Sequence, residues 1–249
     1  MKRLYRQILL GALLLALSVL FYFLHYLIFQ DYHHIFIYLL GDVAFVFIEV
    51  LLVTLIIQRL LNERQKKARL EKLNMVIGAF FSEVGIALLK IMSKWDPQIE
   101  MIQRELTFAG EPAEPKFEKI NRCLRKYDYR IDEEKSDWAS LKALLVAKRD
   151  FLLRLLENPN LLEHESFTDV LWAVFHLAEE LEARDNFQGL PDADHKHLGG
   201  DMQRVYGQLV LQWLEYMRHL KHSYPFLFSL SLRTNPFDRN ASPVVQESA

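Results

Sequence analysis

The chain has 249 residues, of which 51% are apolar, and its 30 Lys and Arg nearly balance its 32 Asp and Glu. The balance hides an asymmetry, and the single cysteine, Cys123, excludes an intramolecular disulfide and suits a reducing compartment. Charge is distributed unevenly: residues 1–72 hold nine basic and five acidic residues, and the remainder is mildly acidic.

The first apolar run, Ile8 to Phe29, follows Lys2, Arg3 and Arg6. It exceeds the roughly 7 to 15 residues of a signal-peptide core and ends in no small-residue cleavage site, so it is expected to be a transmembrane helix. A second run starts at Ile35, IFIYLLGDVAFVFIEVLLVTLII, and is long enough to cross roughly 30 Å of hydrocarbon at about 1.5 Å per residue. Only Gln30 to His34 separate the runs, which predicts a tight hairpin with both chain ends on one side. Basic residues flank those ends, including Arg59, Arg64, Lys66, Lys67, Arg69 and Lys72, so the positive-inside rule makes both termini cytoplasmic. The chain is thus expected to be a multi-pass protein of the cell inner membrane, with these six residues near lipid head groups. Phe21, Tyr22, Phe23, Tyr26, Tyr32, Phe36 and Tyr38 would form the aromatic belt at the outer interface.

Polar residues interrupt this hairpin. Asp42 and Glu49 lie two helical turns apart and share a face, as do Ser18 and His25 on the first helix. In an antiparallel hairpin turning near Tyr32, His25 is expected opposite Asp42 and Ser18 opposite Glu49. Such a stripe either ties the hairpin together or lines a proton or cation path, and two helices enclose a path only as an oligomer.

No proline or turn cluster stops the second helix at the membrane surface. Leu70, Leu73, Ile77, Phe80, Val84, Ala87 and Ile91 alternate spacings of three and four, a short coiled-coil seam that predicts self-association. Val76, Phe81, Leu88, Leu89 and Met92 widen that stripe toward other helices. Asp96-Pro97 opens a short helix, FAGEPAEP reads as a linker, and helices follow around Lys116–Tyr127 and from Trp138 to Asn158-Pro159. A further helix carries Phe167, Val170, Leu171, Val174, Leu177, Ala178 and Leu181, with Ser166 as its expected cap. Gln188 to Gly200 reads as a loop, and a last long helix begins near Asp201. SYPFLFSLSLR alternates like an extended strand, and the chain after Pro236 reads as a disordered tail.

Asp192, Asp194, His195 and His197 look like metal ligands, but a zinc site needs donors from a second element and no partner motif follows them. His176 with Glu179 and Glu215 with His219 fall short of a di-iron pattern. No metal or other cofactor is therefore expected, and there is no P-loop, dinucleotide turn, nucleophile elbow or Cys-x-x-Cys.

LLGDVAFVFIEVLLVTLIIQRLL, LEKLNMVIGAFFSEVG and YPFLFSLSLRTNPFD resemble segments of uncharacterised prokaryotic membrane proteins with a hairpin followed by a helical domain. The resemblance implies the same layout and no activity. The expected fold is all-α: a transmembrane hairpin over residues 1–58, a juxtamembrane helix over 59–95, a cytosolic helical domain over 96–235 and a tail over 236–249. The expected function is a non-enzymatic, oligomeric membrane scaffold or sensor touching membrane lipids and a cytosolic protein partner, and not nucleic acid. The alternatives are an oligomeric proton or cation translocator using Asp42 and Glu49, and a membrane-tethered helical enzyme.

Overall fold

Apolar runs free of proline become long helices, and the computed structural model begins with two of them. It describes residues 2–108, 110, 112–159, 161 and 164–245, leaving out the side chains of 2–4, 67–70 and 134. Among the described residues there are ten α-helices and no strand. The chain divides into two units, residues 1–66 and 67–249.

In the first unit, α1 (Lys2–Phe29) and the first part of α2 (Tyr32–Phe80) are joined by Gln30 and Asp31 alone. Gln30 takes φ 47, and its amide donates to the Tyr26 carbonyl at 2.8 Å. Asp31 opens α2 by accepting from the His34 amide at 3.1 Å. Both helices are long and apolar enough to cross a membrane, and their most apolar stretches are entirely unburied.

The second unit is a helical body with its own core. The last turns of α2 pass into a π turn at Phe81–Gly85 and then into α3 (Ile86–Trp95), α4 (Ile99–Leu106) and α5 (Glu114–Leu124). There follow α6 (Trp138–Ala147), α7 (Arg149–Leu156), α8 (Glu165–Glu182), α9 (Asp192–Ser223) and α10 (Pro225–Arg233). The long α9 is the hub, packing against α8, α10, α5 and α3, while α8 also packs against α6 and α7. Trp213, Tyr206, Phe80, Phe81, Phe117 and Phe167 are among the largest fully buried side chains. Full burial of an apolar side chain stabilises by about 1.5 to 3 kcal/mol, so this aromatic centre and the buried leucines and valines around it hold the body together.

Several expectations change here. Of the seam, Leu73, Ile77, Phe80 and Val84 are buried in the body's own core, and the π turn interrupts the heptad. Ala87 and Ile91 are half-buried, and the side chain of Leu70 lies outside the described residues. The expected helix from Trp138 breaks at Lys148, whose ammonium reaches Glu83 at 2.8 Å. His164 rather than Ser166 caps α8, its ring nitrogen accepting from the Phe167 amide at 3.2 Å. The presumed loop up to Gly200 is helical from Asp192 onward. The stretch expected to be extended, SYPFLFSLSLR, is mostly α10, with Pro225 starting the helix where no amide is needed. Pro236 does not mark the end of packed chain, because Phe237 is buried edge-on against Trp213 at 5.2 Å.

Candidate functional site

Three groups of polar residues stand out, and the first is the stripe in the hairpin. Its members do not pair as expected, because the hairpin turns at Gln30–Asp31, tighter than a turn near Tyr32. Asp42 accepts a 3.4 Å hydrogen bond from the Tyr22 hydroxyl, while His25 stacks on His34 at 5.8 Å and meets the Phe29 ring at a tilt with centroids 4.7 Å apart. Nδ1 of His25 is buried without a hydrogen-bond partner. Ser18, Tyr22, His25, His34 and Tyr38 line a cleft of about 890 Å³ between the two helices. Glu49 is exposed, and no hydrogen bond joins it to Ser18 among the described residues. Of the six basic residues, Arg59 pairs with Glu63 at 3.5 Å, and Arg64, Lys66 and Lys72 are exposed. The side chains of Lys67 and Arg69 lie outside the described residues.

The second group sits on the α8–α9 pair. Helical spacing puts His176 and Glu180 on one face of α8, and His197 and Asp201 on one face of α9. Nε2 of His176 lies 3.5 Å from Asp201 Oδ2 and 3.8 Å from Glu180 Oε1. Nε2 of His197 lies 3.5 Å from the same Asp201 oxygen and 3.6 Å from Glu180 Oε2. Arg184 ties the edge of the group together, donating to Glu180 Oε2 at 2.8 Å and to both oxygens of Asp194 at 2.8 and 2.7 Å. Its guanidinium holds both carboxyls below the usual carboxylate range. Asp194 thus serves Arg184 instead of standing beside His197 as a ligand. As they stand, no three His, Cys, Asp or Glu side chains among the described residues are drawn close enough to hold a metal ion.

Sequence reasoning missed this group because it sought a partner element after His197. The partner comes earlier in the chain, and the signal was a repeated pattern, His-x-x-x-Glu at 176–180 and His-x-x-x-Asp at 197–201.

The third group borders a groove of about 580 Å³ between the last turns of α2 and the α9–α10 corner. Asn74, Gly78, Tyr216, His219, Tyr224 and Leu227 contribute to its walls. Asn74 Nδ2 and His219 Nδ1 are 3.1 Å apart, and burial pushes the imidazole down from its ordinary pKa. Glu215 does not engage His219; it accepts from Asn121 at 2.8 Å and lies 3.7 Å from Arg218. No nucleophile with an adjacent base forms here.

The chain matches two family models: the C-terminal helical domain of the uncharacterized protein MJ1433 over residues 69–233, and the MJ1433 N-terminal helical domain over residues 2–61. A Methanocaldococcus jannaschii protein described as "Uncharacterized protein MJ1433" is 50% identical over 234 residues, spanning 94% of each chain. No solved structure matches.

Proposed function

We propose a function from one premise: the chain belongs to the MJ1433 family, with both of that family's helical domains present. In this reading α1 and α2 cross a membrane as a hairpin, both termini are cytoplasmic, and the helical body acts on the cytosolic side as a scaffold or sensor. The observation that carries it is the contrast between the units. The apolar windows of α1 and α2 are 0% buried, whereas the body encloses its own aromatic core. A soluble monomer rarely exposes apolar patches beyond a few hundred Å², and lipid is the solvent that removes the cost of exposing two whole helices.

A hairpin joined by two residues offers nothing outside the membrane to recognise a ligand. The work therefore falls to the body, whose partners in this reading are head groups near Arg59, Arg64, Lys66 and Lys72 and a cytosolic protein. Extraction of membranes expressing the full chain tests the anchoring. The chain is expected to stay with lipid through alkaline washing and to leave only with detergent, and release by alkali alone would rule the hairpin out.

A second reading is favoured by the Tyr22–Asp42 contact and the cleft beside it. Ionisable groups at membrane depth mark ion paths in many proteins, and an oligomer of hairpins would line one with Asp42 and Glu49. Proton and cation flux into proteoliposomes separates the readings. Translocation requires a flux that Asp42→Asn/Glu49→Gln abolishes; equal background leak in both proteins leaves the scaffold reading.

A further inference from the structure

Two helices of the body each present a histidine and a carboxylate one turn apart, and α8 and α9 pack with those faces together. We propose that His176, Glu180, His197 and Asp201 bind one divalent transition-metal ion of the zinc class. Zinc bonds to nitrogen and oxygen run about 2.0 to 2.2 Å, so neighbouring donors in a tetrahedron stand roughly 3.3 to 3.6 Å apart. Nε2 of His176 and Nε2 of His197 each lie 3.5 Å from Asp201 Oδ2, and Nε2 of His176 lies 3.8 Å from Glu180 Oε1; His197 lies 3.6 Å from the other Glu180 oxygen. Closing the set onto an ion takes side-chain movement, since no three of these groups stand close enough to hold one as they are. The two imidazoles supply it readily, since their side chains are 46% and 51% exposed and free to turn.

Asp201 is the observation that calls for a ligand. Its side chain is 5% exposed, Oδ1 accepts from Arg204 at 2.9 Å, and Oδ2 is buried with no hydrogen-bond partner. A buried carboxylate oxygen without a donor is costly, and both imidazole Nε2 atoms face that same oxygen. A cation there satisfies the oxygen and uses the nitrogens as lone-pair donors. The arginines do not block it. Arg204 holds Asp201 by its other oxygen, and Arg184 holds Glu180 by Oε2 while Oε1 stays toward His176. Carboxylate ligands are normally steadied from outside by such hydrogen bonds. Two imidazoles with two carboxylates suit zinc and its first-row neighbours, whereas calcium takes oxygen donors only. The half-exposed histidines leave an open way in.

The experiment uses the full chain in detergent, stripped with a chelator, exposed to excess zinc and then dialysed into zinc-free buffer. The expected result is one zinc per chain by elemental mass spectrometry and a higher melting temperature in zinc than in chelator. His176→Ala/His197→Ala is expected to lose both, and His195→Ala, on the same helix but outside the set, to keep both. A parent that holds no zinc overturns the proposal, as does a double variant that folds by circular dichroism and still holds it. If the double variant does not fold, Glu180→Gln takes its place, and zinc retention there at the parent's level counts against the site in the same way.

Discussion

Tyr127 donates its hydroxyl to the carboxylate of Asp96, 2.9 Å from Oδ1 and 2.7 Å from Oδ2, and the Asp96 side chain also accepts from the Gln98 amide at 2.8 Å. The pair joins the start of α4 to the chain beyond α5 inside the protein, where Asp96 is 4% exposed. The sequence marks Asp96 only as a helix-opening residue before Pro97; its partner stands 31 positions away.

Burial raises the Asp96 pKa, and the Tyr127 and Gln98 bonds pull it back. Below the ordinary carboxyl range both the folded and unfolded chains hold the proton, and nothing is lost. Between that range and the raised value the unfolded chain ionises first, so stability falls as pH rises through the window. Tyr127→Phe removes a donor that favours the ionised form and so widens that window. The expected loss is about 1 to 3 kcal/mol at pH 7 and clearly less at pH 4, read from denaturant melts at the two pH values.

Gly85, in the π turn, has no room for a side chain. A Cβ there would sit 2.5 Å from Cδ1 of Phe81 and 3.0 Å from Cε1 of Phe80, both rings of the core. Gly85→Ala is expected to destabilise by about 1 to 3 kcal/mol through forced repacking. Gly200 on α9 has nothing within 4 Å of its Cβ position, and Gly200→Ala is expected to stabilise by up to about 1 kcal/mol through helix propensity. Melting both variants beside the parent checks the contrast.

Asn235 and Phe237 tie the segment after α10 to the body. Asn235 donates to the Leu106 carbonyl at 2.8 Å and accepts from the Phe237 amide at 3.0 Å, and Phe237 is 1% exposed against Trp213. Phe237→Ala is expected to cost about 3 to 5 kcal/mol. Removing residues 239–249 instead is expected to cost far less, and equal losses would show that Phe237 is not an anchor.

What was legible follows from periodicity. The apolar face of α8 repeats over many turns, so Val170, Val174 and Leu181 could be assigned to one face from sequence, and all are buried. Short elements failed where tertiary contacts decide. Phe226, Phe228, Leu230 and Leu232 alternate as in a strand, yet in α10 only Phe228 is buried, while Phe226 stays 71% exposed. Neither glycine nor proline marks the break at Lys148; its reach to Glu83 comes from an element 65 residues away. Within the hairpin the polar residues were visible but their pairing was not, because a tighter turn at Gln30–Asp31 brings Tyr22 to Asp42 in place of His25. The histidine–carboxylate group shows the same limit: each i, i+4 pair is written locally, and only the packing of α8 on α9 brings them together.

The central proposal is a hairpin that crosses the membrane with the body on its cytosolic side. In a Cys123→Ala background, Asp31→Cys places a thiol in the two-residue turn, and Lys94→Cys places one at an exposed position of α3. A membrane-impermeant maleimide applied to intact cells is expected to label the first and to reach the second only after lysis. Labelling of Lys94→Cys in intact cells, or protection of Asp31→Cys until lysis, would contradict it.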